Sequence, residues 1–591
     1  MPLSPRWARY VTSRAAVTLV SAALCASVAV PAAAAPQKSP DQIDATVAAM
    51  SLEQKVGQLF VPYVTGGTAD TVSAENRTRF GVDTPAQAVA EFHLGGVIYF
   101  AWSGNTDNPG QIARLSNGLQ RANTAAGNPV PLSVATDQET GLVARVGPPA
   151  TVFPGAMALG AARDPKLTYD TYEITGRELR AIGINTDYAP DADVNVNPAN
   201  PVIGVRSFSS DPKLVAKNVA AAVSGLQDQQ VTATAKHFPG HGDTGVDSHY
   251  ALPKIDHTRA EWEKIDAPPF RAAIKAGVDA IMTAHIIFPA FDDSGDPSTL
   301  SHKVLTGVLR DELKFTGVIA TDSLRMEGVR QKYDDAEIAI RAVEAGADVL
   351  LDPQQPALQI QAVIDAVRSG RLSEDRIDAS VHRILIMKSN RGVLADPLVD
   401  ETRVSSVVGR PQDKSWAQVI TDRTTTLVAD EADLVPLPAK KTLVTGWGTT
   451  QVPQLAAGLK ERGWTTDSLV TGATPTAATI ASAAAKAQGS DQIVITTSAA
   501  WNSTAQQQLV AAVRATGKPV LVVALRDAYD IGHLDGVESY LVTYSSTTVA
   551  VESALRVITG ENRARGRLPV DIPDPARPGT VLYPFGTGLK K

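Results

Sequence analysis

The feature that most constrains this chain is a series of eight short apolar runs, each ending in a polar or turn residue and separated from the next by a helix-like segment. They cover 57–64, 95–100, 132–137, 185–189, 232–237, 280–285, 317–322 and 347–352. The runs are apolar throughout rather than alternating, as strands buried on both faces are. Repeated strand–helix units give parallel strands with covering helices, and eight of them close a (β/α)8 barrel. The expectation is therefore an α/β chain beginning with a TIM-like barrel. Beyond Trp416, apolar runs at 442–446, 492–496, 519–525 and 540–543, with helix-like segments at 505–515 and 549–558, predict a smaller α/β sandwich. The barrel is expected over 36–400 and the sandwich over 401–591. Helical spacing predicts one helix over 43–59 and another, over 376–387, that closes the barrel.

The first 35 residues stand apart. Arg6, Arg9 and Arg14 precede an uncharged Ala- and Val-rich run that ends in Ala33-Ala34-Ala35, the pattern of a secretory signal peptide cleaved near Ala35. A retained membrane anchor is the competing reading, since 15–35 is nearly long enough to span. Cleavage would remove three arginines, taking the net charge from −7 to −10, and with them the chain's one cysteine, Cys25. The exported or envelope-associated protein would then have no disulfide and no thiol nucleophile. Its acidic balance, with a pI near 5.8, argues against nucleic acid or an anionic membrane as partner. A monomer without a cofactor is expected.

In such barrels the active site forms at the C-terminal ends of the strands. Five runs end in Asp137, Lys236-His237, His285, Asp322 and Asp352. The glycine-rich stretch from Lys236 to His249 packs three of the chain's nine histidines, two aspartates and a lysine into fourteen residues. Within it, Asp247 and His249 are two apart, so in extended backbone they point to one side. The carboxylate would fix the imidazole tautomer and leave the other nitrogen free to exchange a proton. A solvated polar loop is one alternative. A zinc site using His237, His241, His249, Asp243 and Asp247 is another, although the order fits none of the strong zinc spacings. Asp322, at an apolar strand's exit, needs compensating charge, which Lys236, Arg206 or Arg145 would supply. A helix-capping role for Asp322 is the bland reading, and Ser323 would serve it equally.

Lys-His-Phe-Pro-Gly-His-Gly, four residues, then Asp-Ser-His resembles the signature of the bacterial β-N-acetylglucosaminidases of glycoside hydrolase family 3, the NagZ type. The resemblance implies His249 as general acid/base, Asp247 as its partner and, from the stretch 317–326, Asp322 as nucleophile. It implies Asp137 as a ligand of sugar hydroxyls assisted by Arg145, although Thr140 and Leu142 replace the usual Gly and Arg of that motif. Arg206 would contact substrate, Asp193 would shape its loop, and Lys236 and His237 would donate to hydroxyls. His285 would be either a ligand contact or a satisfied core histidine. No metal is implied, and the Asp/Asn cluster from Asp191 to Asn197 lacks EF-hand spacing. The implied activity is retaining exo-hydrolysis of terminal GlcNAc from peptidoglycan-derived glycosides through a glycosyl-aspartate, with carbohydrate as the partner. Phosphorolysis, β-glucosidase activity within the same family and metal-dependent hydrolysis are the alternatives. The second domain carries no glycine-rich phosphate loop and reads as a scaffold or an outer-subsite wall.

Overall fold

A computed structural model describes residues 38–591, so the expected signal segment and Cys25 lie outside the described residues. The barrel strands are β1 (Phe60–Val61), β2 (Gly96–Ile98), β3 (Ser133–Thr136), β4 (Thr186–Asp187), β5 (Thr232–Phe238), β6 (Ala280–Thr283), β7 (Val318–Ala320) and β8 (Leu350–Leu351). Strands β2 to β7 pair in sequence order as a parallel sheet, and β1 pairs with β8. Parallel bridges Tyr63↔Ile98 and Ala320↔Val349 close the ring. Each of the eight apolar runs thus holds one strand. The ladders are shorter than the runs, yet flanking residues such as Leu59 and Val64 are fully buried.

Several crossover helices begin where short polar side chains cap them. Asp164 accepts from Lys166 N ahead of Pro165–Ala181, and Asp211 accepts from Leu214 N ahead of Pro212–Asp228; both helices carry proline in the first turn, where its missing N–H costs nothing. The single helix expected over 43–59 is instead two, Pro40–Ala48 and Leu52–Gly57. Ser51 and Gln54 exchange side-chain and backbone hydrogen bonds as a capping box, which starts a new helix at that point. The closing helix runs Glu374–Asn390. Among the described residues no helix is long and apolar enough to cross a membrane.

The sandwich has strands β9 (Thr426–Asp430), β10 (Lys441–Gly446), β11 (Thr465–Val470), β12 (Gln492–Thr497), β13 (Val520–Ala524) and β14 (Ser539–Val542), in the order β11-β10-β12-β13-β14-β9. Only β9 is antiparallel to its neighbour. Apolar burial of β10, β12, β13 and β14 made them readable from sequence. Strand β11 is an edge strand of polar composition exposed over most of its length, and β9 has only three apolar residues, so neither left a clear pattern. One face of this sheet packs Ile493, Val522 and Tyr540 together with Met157, Ala158, Ala161 and Val205 of the barrel. The sandwich and barrel share that core, and Pro36–Lys591 is one compact unit.

Candidate active site

The C-terminal ends of the barrel strands open on a cavity of about 310 Å³. Asp137 and Glu139 follow β3, Arg206 follows β4, Lys236 and His237 end β5, Asp322 follows β7 and Asp352 follows β8; all seven line the cavity. Arg145 lines it as well. Gln138 shapes the loop after β3: its Oε1 accepts from Arg145 N (2.8 Å) and Val146 N (2.9 Å), and its Nε2 donates to Val146 O (3.1 Å).

The cations are held by one residue that sequence reasoning missed. Glu139 takes a bidentate pair from Arg206, Nε to Oε2 and Nη2 to Oε1, both 2.8 Å. Lys236 Nζ lies 2.6 Å from Glu139 Oε1 and donates to Asp137 Oδ1 at 2.9 Å. Burial opposes the Glu139 charge, but Arg206 and Lys236 outweigh it and hold the carboxyl far below the usual range. Burial likewise disfavours the Lys236 ammonium, yet Asp137 and Glu139 raise its pKa. The two cations are thus charged and oriented before any ligand arrives. The signal for Glu139 was present in the sequence, two residues past Asp137, but an acid there also suits a solvated loop.

Asp322 is partly buried, and its Oδ1 accepts from Ser323 N at 2.7 Å. Burial pushes its pKa up; the nearby His237 and His285 and the Ser323 N–H more than offset this, leaving it below the ordinary value. The compensating charge therefore does not come from Lys236, Arg206 or Arg145, as the sequence suggested, because the first two are committed to Glu139 and Asp137. Of the two readings held open for His285, its contacts fit the satisfied core histidine and not the substrate ligand. It is fully buried, its Nε2 donates to Ser323 O (2.9 Å), and its Nδ1 lies 2.8 Å from Thr299 Oγ1. With both ring nitrogens engaged it fixes the strand end that carries Asp322.

The loop after β5 carries the remaining group. His249 Nδ1 donates to Asp247 Oδ1 at 2.7 Å, and His249 N donates to the same oxygen at 2.9 Å. That leaves Nε2 without a hydrogen-bond partner among the described residues, and His249 lines the cavity together with Asp322. The His249 side chain is 55% exposed, so it sits at the mouth. Glu327 N and Gly328 N, from the segment after β7, donate to His249 O (3.4 Å) and Ser248 O (3.2 Å). The two loops are thereby tied side by side. Glycine is required at two points of this loop. Gly240 has φ +131°, and a Cβ on Gly242 would lie 1.8 Å from Val194 O, so the loop can lie flat on the β4 loop only without side chains there.

Among the described residues Asp191, Asp193 and His237 converge closely enough to hold a metal ion. They are already wired to one another. His237 Nδ1 donates to Asp193 Oδ2 (2.7 Å), His241 N donates to Asp193 Oδ1 (2.6 Å), and Asp193 N donates to Asp191 Oδ1 (2.9 Å). Burial and the neighbouring Asp193 push Asp191 well above the carboxylate range, whereas the histidines hold Asp193 below it despite burial. Arg206 Nη2, 4.0 Å from Asp191 Oδ2, opposes a cation there. The zinc set considered from sequence does not converge: His241 Nε2 meets Ser248 Oγ at 2.9 Å, and Asp243 pairs with His257.

Asp352 and the aromatic rim complete the cavity. Asp352 Oδ2 accepts from Ser323 Oγ (2.9 Å), while its buried Oδ1 accepts no hydrogen bond and lies 3.7 Å from Arg79 Nη2. Trp102, 61% exposed, stacks on Phe100 with centroids 5.0 Å apart at the mouth. No residue of the sandwich lines this cavity.

Comparison with known proteins adds two matches to family models. Residues 51–387 match the glycosyl hydrolase family 3 N-terminal domain, and residues 391–591 match the family's C-terminal domain. The chain is 37% identical over 328 residues to beta-hexosaminidase A of Pseudoalteromonas piscicida, covering 51% of this chain and 54% of that protein, about half its length. It is 29% identical over 407 residues to a beta-N-acetylglucosaminidase/beta-glucosidase of Cellulomonas fimi, covering 67% and 68%. A solved family 3 beta-N-acetylglucosaminidase from Paenibacillus sp. str. FPU-7 superposes with a TM-score of 0.82 at 38% identity, covering 88% of this chain and 99% of that one.

Proposed function

We propose, from the premise that the chain belongs to glycosyl hydrolase family 3, that it is a retaining exo-β-N-acetylglucosaminidase. The observation that carries this reading is one cavity lined by both a partly buried Asp322, whose pKa its neighbours hold below the ordinary value, and an Asp247-braced His249. Asp322 attacks the anomeric carbon as the glycosidic C–O bond breaks, and His249 Nε2–H gives its proton to the departing oxygen. The products of this step are the free aglycone alcohol and a glycosyl-aspartate. Neutral His249 then takes a proton from water, whose oxygen attacks the same carbon and releases Asp322. Two displacements at one carbon retain its configuration.

Asp137, Lys236, Arg206, Arg145 and His237 hold the sugar hydroxyls and acetamido group, and Asp352 Oδ1 offers a further acceptor. A lined cavity open at the His249 side takes one terminal sugar and leaves the aglycone outside, which is exo action. Peptidoglycan-derived GlcNAc glycosides are the proposed substrates, by similarity to the NagZ-type signature. Export with cleavage near Ala35 is proposed from the sequence of residues 1–35, and N-terminal sequencing of the mature protein tests it.

The deciding assay compares 4-nitrophenyl β-GlcNAc with the β-glucoside for the parent, Asp322→Ala and His249→Ala. The acetamido sugar alone should turn over. Asp322→Ala should lose nearly all activity, and His249→Ala should lose about 10²–10⁴-fold with poor leaving groups but less with nitrophenol. Glucoside turnover would favour the β-glucosidase alternative. Free GlcNAc is the expected product in phosphate buffer, GlcNAc 1-phosphate that of a phosphorylase, and chelator sensitivity that of a metal hydrolase.

A further inference from the structure

The loop bearing Asp247 and His249 leaves β5 at Pro239 and ends at His257, and its two ends meet in a cluster outside the cavity. His257 Nδ1 donates to Asp266 Oδ2 at 2.7 Å, and its Nε2 donates to Asp243 Oδ2 at 3.0 Å. Only an imidazolium has two N–H donors, and the hydrogen bonds it donates to Asp243 and Asp266, against burial, push the His257 pKa up to about 10. Its side chain is 10% exposed and that of Asp266 1%. The Asp266 carboxylate packs on Gly240, where a Cβ would lie 2.5 Å from Oδ1. One cation therefore bridges the start of the loop, through Asp243, and the segment after its end, through Asp266.

Other contacts pin the same two ends. Trp262 Nε1 donates to Pro239 O at 2.8 Å, and Lys254 bridges Ile287, with Ile255 N donating to Ile287 O at 3.0 Å. The tip between them holds His249 and the 78% exposed Tyr250, tied by Ser248 Oγ to His241 and by the two backbone bonds from 327–328. An exposed tip on a fixed base reaches only as far as the base allows.

We propose that His257 is a positioning residue whose clamp on Asp243 and Asp266 fixes the base of the loop and so sets the reach of His249 into the cavity. This rests on the reading of His249 as proton donor. Removing the cation takes away the donor that Asp243 and Asp266 share, so the base loses the charged link between its two ends. The loss falls on proton delivery and leaves nucleophilic attack intact.

The test is kcat/KM, which reports the steps up to the glycosyl-enzyme, for 2,4-dinitrophenyl β-GlcNAc and for methyl β-GlcNAc. The first leaving group needs no proton and the second does. His257→Gln should lose roughly tenfold or more on the methyl glycoside and less than about threefold on the dinitrophenyl one, and should add nothing in a His249→Ala background. Equal losses on both substrates, or a multiplicative loss with His249→Ala, would overturn the inference. If His257→Gln does not fold, Asp243→Asn cuts one arm of the clamp and is read in the same way. If His249→Ala itself shows no leaving-group dependence, the reading of His249 fails whatever His257→Gln does, so the two failures are told apart.

Discussion

At the scale of single residues, the site is a set of carboxylates whose neighbours push them apart in charge. Neighbouring cations, histidines and N–H groups hold Glu139, Asp193 and Asp322 below the ordinary carboxylate range, while burial and the Asp193 charge push Asp191 above it. Asp187, beneath them on β4, accepts from Gln138 N at 2.8 Å and leaves Oδ2 unpaired; burial raises its pKa to about 8. The native state therefore keeps a proton on Asp187 that the unfolded chain has lost, from the ordinary carboxylate range near ~3.9 up to about 8. Native binding of that proton means stability falls as pH rises through this window. Asp187→Asn removes the contribution, so between pH 5 and 8 the parent should lose more Tm than the variant, by a few degrees. Equal losses would contradict the assignment. The residues legible in sequence were those at strand ends, Asp137, Lys236, His237 and Asp322, because a polar group ending an apolar run has few explanations. Glu139 was hidden and the two readings of His285 were left undecided, since both depend on which partner the fold brings within 3 Å.

At the scale of elements, all eight barrel runs were legible because strands buried on both faces are apolar regardless of detail. What the runs did not show was how loops lie on one another. The β5 loop rests on the β4 loop through Gly242, and the β7 segment donates to its tip. Gly242→Ala should therefore cut activity more than ~10-fold and lower stability by about 1–3 kcal/mol, because its Cβ must push Val194 away. Full activity with an unchanged Tm in that variant would show that the two loops do not need this contact. The break at Ser51 and the polar edge strand β11 escaped sequence reading for local reasons, one a capping box and the other a lack of burial.

At the scale of the whole molecule, the sandwich acts on the site from behind. It contributes nothing to the cavity wall, yet Asn195 Nδ2 donates to Tyr529 Oη (3.1 Å), Ser210 N to Pro569 O (3.1 Å) and Arg567 N to Ala161 O (3.0 Å). The first two bonds brace the β4 loop on which Arg206 stands, and the shared core with Met157 and Val205 makes the support apolar as well. Of the two roles expected for this domain, the scaffold fits these contacts. The proposed mechanism needs Asp322 and His249 to meet on one glycosidic bond, and covalent capture tests that claim most directly. His249→Ala, given 2,4-dinitrophenyl β-GlcNAc, still forms the glycosyl-enzyme but lacks the base that hydrolyses it, so the intermediate accumulates. Mass spectrometry of the quenched, digested protein should find one added GlcNAc residue on the peptide containing Asp322. Steady hydrolysis with no adduct, or an adduct on any other residue, would contradict the account.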